Sequence, residues 1–526
     1  MKKINFLTIL WILFYLFVFS FLIRNSFSYL DHDLGWHLAV GKEILETKQV
    51  PHIEHYNFTL EGERWVDHEW LSNLLLYWGY DNFGYTFINI VFALIILITL
   101  IVLNIYTQRY FLPKKNGAIL IVLFQVLGLL GMAGHIGVRI QEITVLFTLI
   151  VLITIHRYHL NRTHWTLLIL PPLFYLWACL HGGFILGIAL FISYIGLLIF
   201  TQLLKTLYKR DANFKQLQVP TLIFALCVTA TFLTPYKTEL FSFLNTYRDT
   251  YYLTHIQEWL PFYYFPFSYA KLMYAAFVII AITLTAFSKH TKQTFISSWF
   301  LILSSIFLFL SLKSMRHFPL FFVISFPILV EYFSAFLETP NDNILNNKYF
   351  RSFALIKPYI IITFLCVIVA NALDTNFFTN PFQNFHRTNP VGAVEFLHKH
   401  PEYFNKRTLA TYDWGGYLIW TLPQNKLFLD GRLPQVYFAG HTIMEEYHEF
   451  FAENKAQEKL NQYNVELVLI KTNQGYTKLN WLEKYFFDMS EEEINKDRRY
   501  INKFLENSQD WNNIYSDPVS QIYIKK

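Results

Sequence analysis

Residues 85–106 read YTFINIVFALIILITLIVLNIY, a run without one charged side chain. A helix of that length reaches roughly 30 Å, the thickness of a hydrocarbon core, so this stretch is read as a membrane span. Working outward, comparable apolar segments recur near residues 4–23, 118–134, 140–156, 165–180, 183–204, 219–234, 270–287, 294–312, 318–336 and 355–373. The pattern predicts an α-helical polytopic membrane protein of about eleven transmembrane helices. Composition agrees: 54% of residues are hydrophobic, 15% are charged, and mean hydropathy is +0.29.

The same composition removes several functional classes. A net charge of +5 with basic residues scattered through loops is no nucleic-acid footprint. Cys179, Cys227 and Cys366 all lie inside apolar runs, which leaves neither a disulfide framework nor a CxxC metal site. Met1-Lys2-Lys3 followed by the apolar run Ile4 to Ile23 has the start of a signal peptide without a small-residue cleavage site, so it is read as an uncleaved first span.

Orientation follows from where lysine and arginine fall in the short loops. A cytoplasmic N-terminus puts Arg109, Lys114, Lys115, Arg157, Arg162, Lys205, Lys209, Arg210 and Lys215 inside, whereas the first loop on the opposite side, 24–84, is acidic. An odd number of spans then delivers the tail outside the cytoplasm. From about residue 380 the apolar runs shrink to strand length, as in Leu409 to Tyr412, Lys426 to Leu429 and Val465 to Ile470, with helical patterns between them and a closing hairpin over 511–524. The expected layout is a transmembrane domain, 1–375, and an extracytoplasmic α/β domain, 376–526, in a multi-pass protein of the plasma membrane.

With that topology, polar residues that are expensive near lipid collect at the outer face. Asp31, Asp33 and His37 follow the first span, and His68 and Glu69 precede the second. Arg139 and Glu142 open the fourth span, His181-Gly182-Gly183 joins the fifth and sixth, and Lys237 follows the seventh. His255, Glu258 and Trp259 lie in a long loop, and Arg316-His317 precede the tenth span. Each has an ordinary role as cap, anchor or tight turn. Their gathering on one side is what those roles do not explain.

The mixture suits transfer from a lipid phosphate: a carboxylate takes a proton from the acceptor, and cations hold the departing phosphate. Asp31, Asp33 and Glu69 are the candidate catalytic acids, with Arg139, Lys237 and Arg316 as phosphate ligands. His37, His68, His181 and His317 are supporting residues. Two carboxylates one residue apart also admit a shared divalent metal, Mg or Mn, at Asp31 and Asp33, with His37, His68 and Glu69 as added ligands.

These residues carry a resemblance. Asp31-x-Asp33-x-x-Trp36-His37-Leu38-x-x-Gly41, with Trp65-x-x-His68-Glu69-Trp70-Leu71, Trp177 to Gly183, Arg316-His317, Trp414-Gly415-Gly416-Tyr417-Leu418 and Leu429-Asp430-Gly431-Arg432, resembles a group of uncharacterised bacterial membrane proteins in the GT-C glycosyltransferase superfamily. The resemblance implies a first outer loop bearing the catalytic acid, here Asp31 or Asp33. It also implies a polyprenyl-phosphate sugar donor, inverting transfer outside the cytoplasm, and a glycan, lipid or protein acceptor. Protein O-mannosyltransferases, aminoarabinose transferases and oligosaccharyltransferases share the architecture. The mannosyltransferases carry adjacent Asp-Glu where this chain has Asp-x-Asp, and the tail lacks the acceptor-peptide motif of the oligosaccharyltransferases.

Other readings of the sequence are a lipid-linked glycan transporter or flippase, a glycan polymerase, and a non-catalytic scaffold. A transporter calls for polar groups at mid-span, often at broken helices related by a repeat, and apart from Pro171-Pro172 neither is found. In the tail, the Gly415-Gly416 pair is expected to make a turn and Asp430 and Arg432 either a buried closing pair or a sugar-facing surface.

Overall fold

The computed structural model describes residues 6–28, 30–112, 118–248, 250–261, 269–286, 294–338, 383–452, 454–472 and 500–526, with 479, 481, 484, 490 and 491. The expected eleventh span, 355–373, the domain boundary at 375–376 and Cys366 lie outside the described residues.

The long apolar segments that are described fold as helices. The bundle comprises α1 (Phe6–Ser28), α2 (Leu34–Thr47), α3 (Trp70–Tyr110), α4 (Ala118–Gly131), α5 (Gln141–Asn161), α6 (Leu170–Leu180), α7 (Phe184–Leu207), α8 (Gln218–Thr231), α9 (Glu239–Thr246), α10 (Thr250–His255), α11 (Tyr269–Ala286), α12 (Phe295–Lys313) and α13 (Phe318–Glu338). Six stretches among the described residues are long and apolar enough to cross a bilayer: Thr8–Ser26, Trp70–Tyr110, Gln141–Asn161, Phe184–Leu207, Phe295–Lys313 and Met315–Ala335. Ile119–Gly131, His164–Leu180 and Tyr274–Thr283 are shorter apolar helices.

The expected loop 24–84 is largely helical. α1 runs through Ser28, α2 fills the middle, and α3 already starts at Trp70. α3 is two helices joined at Gly84, whose φ of 74° is the left-handed region that favours glycine. Nothing stands within 4 Å of where a Cβ would be, so the backbone alone asks for glycine there.

In lipid, helices associate through close packing and not through expulsion of water. α4 shows how: a Cβ on Gly128 would stand 2.1 Å from the ring of Phe322, and one on Gly131 would stand 2.7 Å from that of Phe318. Those two α13 rings also pack edge-on against Phe277 of α11, at 5.7 Å for Phe318 and 5.5 Å for Phe322.

The tail folds around a four-stranded sheet of order β1-β4-β6-β5. β1 (Thr408–Ala410) lies parallel to β4 (Leu467–Lys471), with Thr408 opposite Leu467, and β5 (Trp511–Ser516) and β6 (Ser520–Lys525) form the closing hairpin. β2 (Tyr437–Phe438) and β3 (His441–Thr442) make a separate short ladder. The strand expected at Lys426 to Leu429 is reduced to isolated bridges. Leu427 links β1 on one side to residues of the α2–α3 segment on the other, through Leu427 N–H to Tyr56 O (3.1 Å) and Phe58 N–H to Leu427 O (3.0 Å). The sheet thus continues into 56–58, and Trp36, Val40 and Trp65 share one hydrophobic core with Leu409, Trp414, Phe428 and Ile522.

Candidate functional site

Asp31 begins the turn into α2. Its Oδ1 accepts the Asp33 N–H at 3.0 Å, and its Oδ2 lies 3.1 Å from Nε of Arg139. Arg139 sits on the segment between α4 and α5, which is pinned from both sides. Asn25 of α1 donates to the Ala133 and Ile136 carbonyls at 2.8 and 3.0 Å, while Glu142 accepts the Gly137 N–H at 2.8 Å.

The far side of the Arg139 guanidinium meets Glu258 through Nη1 and Oε1. The other Glu258 oxygen lies 3.2 Å from Nη1 of Arg316, which stacks over Trp259 at 4.8 Å. Asp31, Arg139, Glu258 and Arg316 therefore form a chain of alternating charge drawn from four separate segments. Burial would raise Glu258, but Arg139 and then Arg316 overcome it and hold the carboxyl well below its ordinary value.

Asp33 is different. Among the described residues no cation pairs with its carboxyl, and desolvation followed by the neighbouring charge of Asp31 pushes it up to about 7.

A second cluster gathers around Glu69. Nε2 of His181 and Nε2 of His68 approach its Oε1 at 3.4 and 3.6 Å. Nδ1 of His181 accepts the Gly183 N–H at 3.0 Å and faces the Thr144 hydroxyl at 2.7 Å, whose oxygen already accepts the Trp177 indole N–H at 2.9 Å. Nδ1 is thereby committed as acceptor, and the neutral ring carries its proton on Nε2, facing Glu69.

Behind this stands a relay of fixed dipoles. Asn73 donates to both oxygens of the buried Asp67 at 3.0 and 2.8 Å, leaving its own oxygen to accept from Nδ1 of His37 at 2.6 Å. Burial pushes His37 down to about 4 and His68 to about 3, and holds His181 well below the usual imidazole value. Burial, then Asp67 and Asp33, pushes Glu69 well above the carboxylate range. Both clusters meet electrostatically, since Glu69 also feels Asp31 and Arg316.

The structure thus brings Asp31, Asp33, Arg139 and Arg316 together, and Glu69, His68, His181 and His37 beside them. His317 lies against Trp259 at a ring distance of 5.8 Å. Lys237 stands apart: it is exposed, in a turn with φ 49°, and among the described residues no ion pair joins it to the arginines. Sequence reading placed Glu258 in its loop without a role, and passed over Asp67, Asn73 and Asn25. A lone acid in a long loop gives no sign of the two arginines it will meet.

No family model matches the chain, and no curated protein matches it by sequence. Solved structures do match in shape. The oligosaccharyltransferase of Archaeoglobus fulgidus in its apo form superposes with a TM-score of 0.51 at 12% identity, covering 87% of this chain and 69% of the other. The same enzyme tethered to an acceptor peptide containing the NVT sequon gives 0.53 at 12% identity, over 97% and 74%. Its complex with an inhibitory peptide and a dolichol-phosphate gives 0.50 at 11% identity, over 89% and 70%. This chain shares the fold of that archaeal membrane enzyme. At such identity the likeness speaks for fold, and the residues above must speak for chemistry.

Proposed function

We propose that the chain is an integral membrane glycosyltransferase that moves a sugar from a polyprenyl-phosphate carrier to an extracytoplasmic glycan, lipid or protein acceptor, with inversion. The observation that carries this reading is the Asp33 carboxyl, which no cation pairs with among the described residues, beside the Asp31–Arg139–Glu258–Arg316 chain at one end of the helical bundle. The loop-charge distribution favours a cytoplasmic N-terminus with this end and the 376–526 domain outside, in the plasma membrane.

Asp33 is the base. Its raised pKa matches a group that must release and regain a proton near neutrality. It takes the proton of the acceptor hydroxyl as that oxygen attacks the anomeric carbon from the face opposite the phosphate. The bond from that carbon to the phosphate oxygen breaks, and the polyprenyl phosphate departs with the electron pair. Arg139 and Arg316 oppose the charge that develops there. Asp31 orients Arg139, and Glu69, with the neutral imidazoles, frames the site.

A shared divalent metal, Mg or Mn, fits these residues poorly. One Asp31 oxygen caps the Asp33 N–H and the other pairs with Arg139, so a cation would have to displace the guanidinium. No group of three or more His, Cys, Asp or Glu side chains among the described residues is arranged to hold a metal ion. No step is routed through one.

The test is transfer of radiolabelled sugar from a mixed pool of polyprenyl-phosphate donors by purified protein in lipid. Wild type should transfer, and an Asp31→Asn/Asp33→Asn double variant should not. Equal transfer by both would remove these acids from the chemistry.

A further inference from the structure

The two tail motifs, Trp414-Gly415-Gly416 and Asp430-Gly431-Arg432, are absorbed by neither cluster, yet both press against the turn that carries Asp33. Arg432 is the anchor. Its Nη1 and Nη2 donate to Glu54 of the α2–α3 segment at 2.8 and 3.0 Å, and its Nε and Nη2 donate to Asp430 at 2.9 and 2.6 Å. The guanidinium lies between the rings of Tyr56 and Trp65, 4.6 Å from each. Arg432, Asp430 and Glu54 are all at most 2% exposed.

The glycine pair does not make the expected turn. Gly415 and Gly416 start the helix Gly415–Thr421, which lies on α2. A Cβ on Gly35 would stand 2.2 Å from the Gly416 carbonyl oxygen, and one on Gly416 would stand 2.3 Å from that of His32. These are backbone-on-backbone approaches that only glycine permits.

Held this way, Gly431 meets Asp33 itself. A Cβ there would stand 2.3 Å from Asp33 Oδ1 and 3.4 Å from its Cγ, with Trp36 Nε1 at 3.7 Å. Among the described glycines only Gly62, Gly84 and Gly440 have positive φ, so the backbone at Gly431 accepts any residue. What a side chain would collide with is the Asp33 carboxylate.

We infer that Gly431 is a positioning residue for the Asp33 carboxylate, so that the C-terminal domain completes the catalytic site instead of lying beside it. This rests on the reading of Asp33 as base. The colliding atom is the far end of a side chain, so Gly431→Ala displaces the carboxylate and leaves the fold intact. Gly416→Ala, which strikes a backbone carbonyl, undocks the domain.

The experiment compares full-length wild type, Gly431→Ala, Gly416→Ala and Asp33→Asn in lipid nanodiscs. Asp33 is labelled with a hydrophobic carbodiimide as a function of pH and quantified by peptide mass spectrometry, and kcat, KM and melting temperature are followed in parallel. Gly431→Ala should keep the wild-type KM and melt no earlier than wild type while kcat falls roughly ten- to hundredfold. Its Asp33 labelling midpoint should move down by about one pH unit as the carboxyl reaches water. Gly416→Ala should melt earlier.

An unchanged labelling midpoint in Gly431→Ala overturns the inference, whatever the activity. A shifted midpoint with full transfer by Asp33→Asn keeps the seat and removes the base. Should Gly431→Ala fail to fold, Asp33→Ala in the same chain should restore folding, and its failure to do so also overturns the inference.

Discussion

Nε2 of His181 faces Oε1 of Glu69 at 3.4 Å, and the contacts on the other side of the ring decide what passes between them. With Nδ1 committed to Gly183 and Thr144, His181 can only donate to Glu69. That donor favours the carboxylate, against the burial that raises it. Replacing His181 with Leu should therefore raise Glu69 further, read as an upward move in the pH midpoint of its labelling by a hydrophobic carbodiimide. His181→Gln, which keeps an N–H, should restore part of the shift. A Glu69 midpoint that ignores both changes would mean that His181 does not donate to it.

Asp33→Asn should separate stability from activity. The carboxyl titrates at about 7 in the fold, for desolvation and Asp31 both raise it, against about 4 in an unfolded chain. A raised folded pKa means that ionisation costs stability: the cost starts as pH rises above the unfolded value and is complete above the folded one. The variant should melt like wild type at about pH 4 and progressively higher up to about pH 7, beyond which the gap is constant. Transfer should be lost throughout. Equal melting curves at about pH 8 would mean that the carboxyl is not seated where it is described.

Glu258→Gln tests the opposite sign. Two guanidiniums hold this carboxyl below its ordinary value, so its contribution is present above the unfolded pKa of about 4.3 and disappears as pH falls through the folded one. The variant should lose roughly 1–3 kcal/mol at neutral pH, a deficit that shrinks in acid. With the anion they share removed, Arg139 and Arg316 should bind polyprenyl phosphate several-fold more tightly, as read by displacement of a fluorescent analogue. Unchanged affinity would detach the arginine pair from the phosphate.

Much of this was visible in the sequence, for physical reasons that also mark where visibility ends. A span such as 85–106 declares itself by length and apolarity, and Val465 to Ile470 by a short β-branched run that is fully buried as β4 through Ile470. Asp31, Asp33, Arg139 and Arg316 were found because charge beside lipid is costly. Their pairing was not, since Glu258 reaches both arginines across more than fifty residues of chain on one side and more than a hundred on the other. Gly415-Gly416 was read as a turn because local sequence cannot distinguish a glycine needed for φ from one needed for close approach. Lys237 illustrates the converse: placement at the end of a helix says nothing about which way a side chain is turned.

Arg432→Met should be the most damaging change in the tail. It leaves Glu54 and Asp430 buried without their cation, and breaking such a cluster typically costs about 3–5 kcal/mol. Glu54 also accepts the Tyr56 and Asn57 N–H groups at 2.6 and 2.9 Å, so the loss spreads into the strand segment that extends the tail's sheet. Arg432→Lys keeps the charge but cannot serve two carboxylates as a fork or stack between Tyr56 and Trp65, and should recover only part of the stability. Thermal unfolding and limited proteolysis of the tail would rank wild type above lysine and lysine above methionine. A methionine variant within about 0.5 kcal/mol of wild type would show that the cluster does not hold the domain in place.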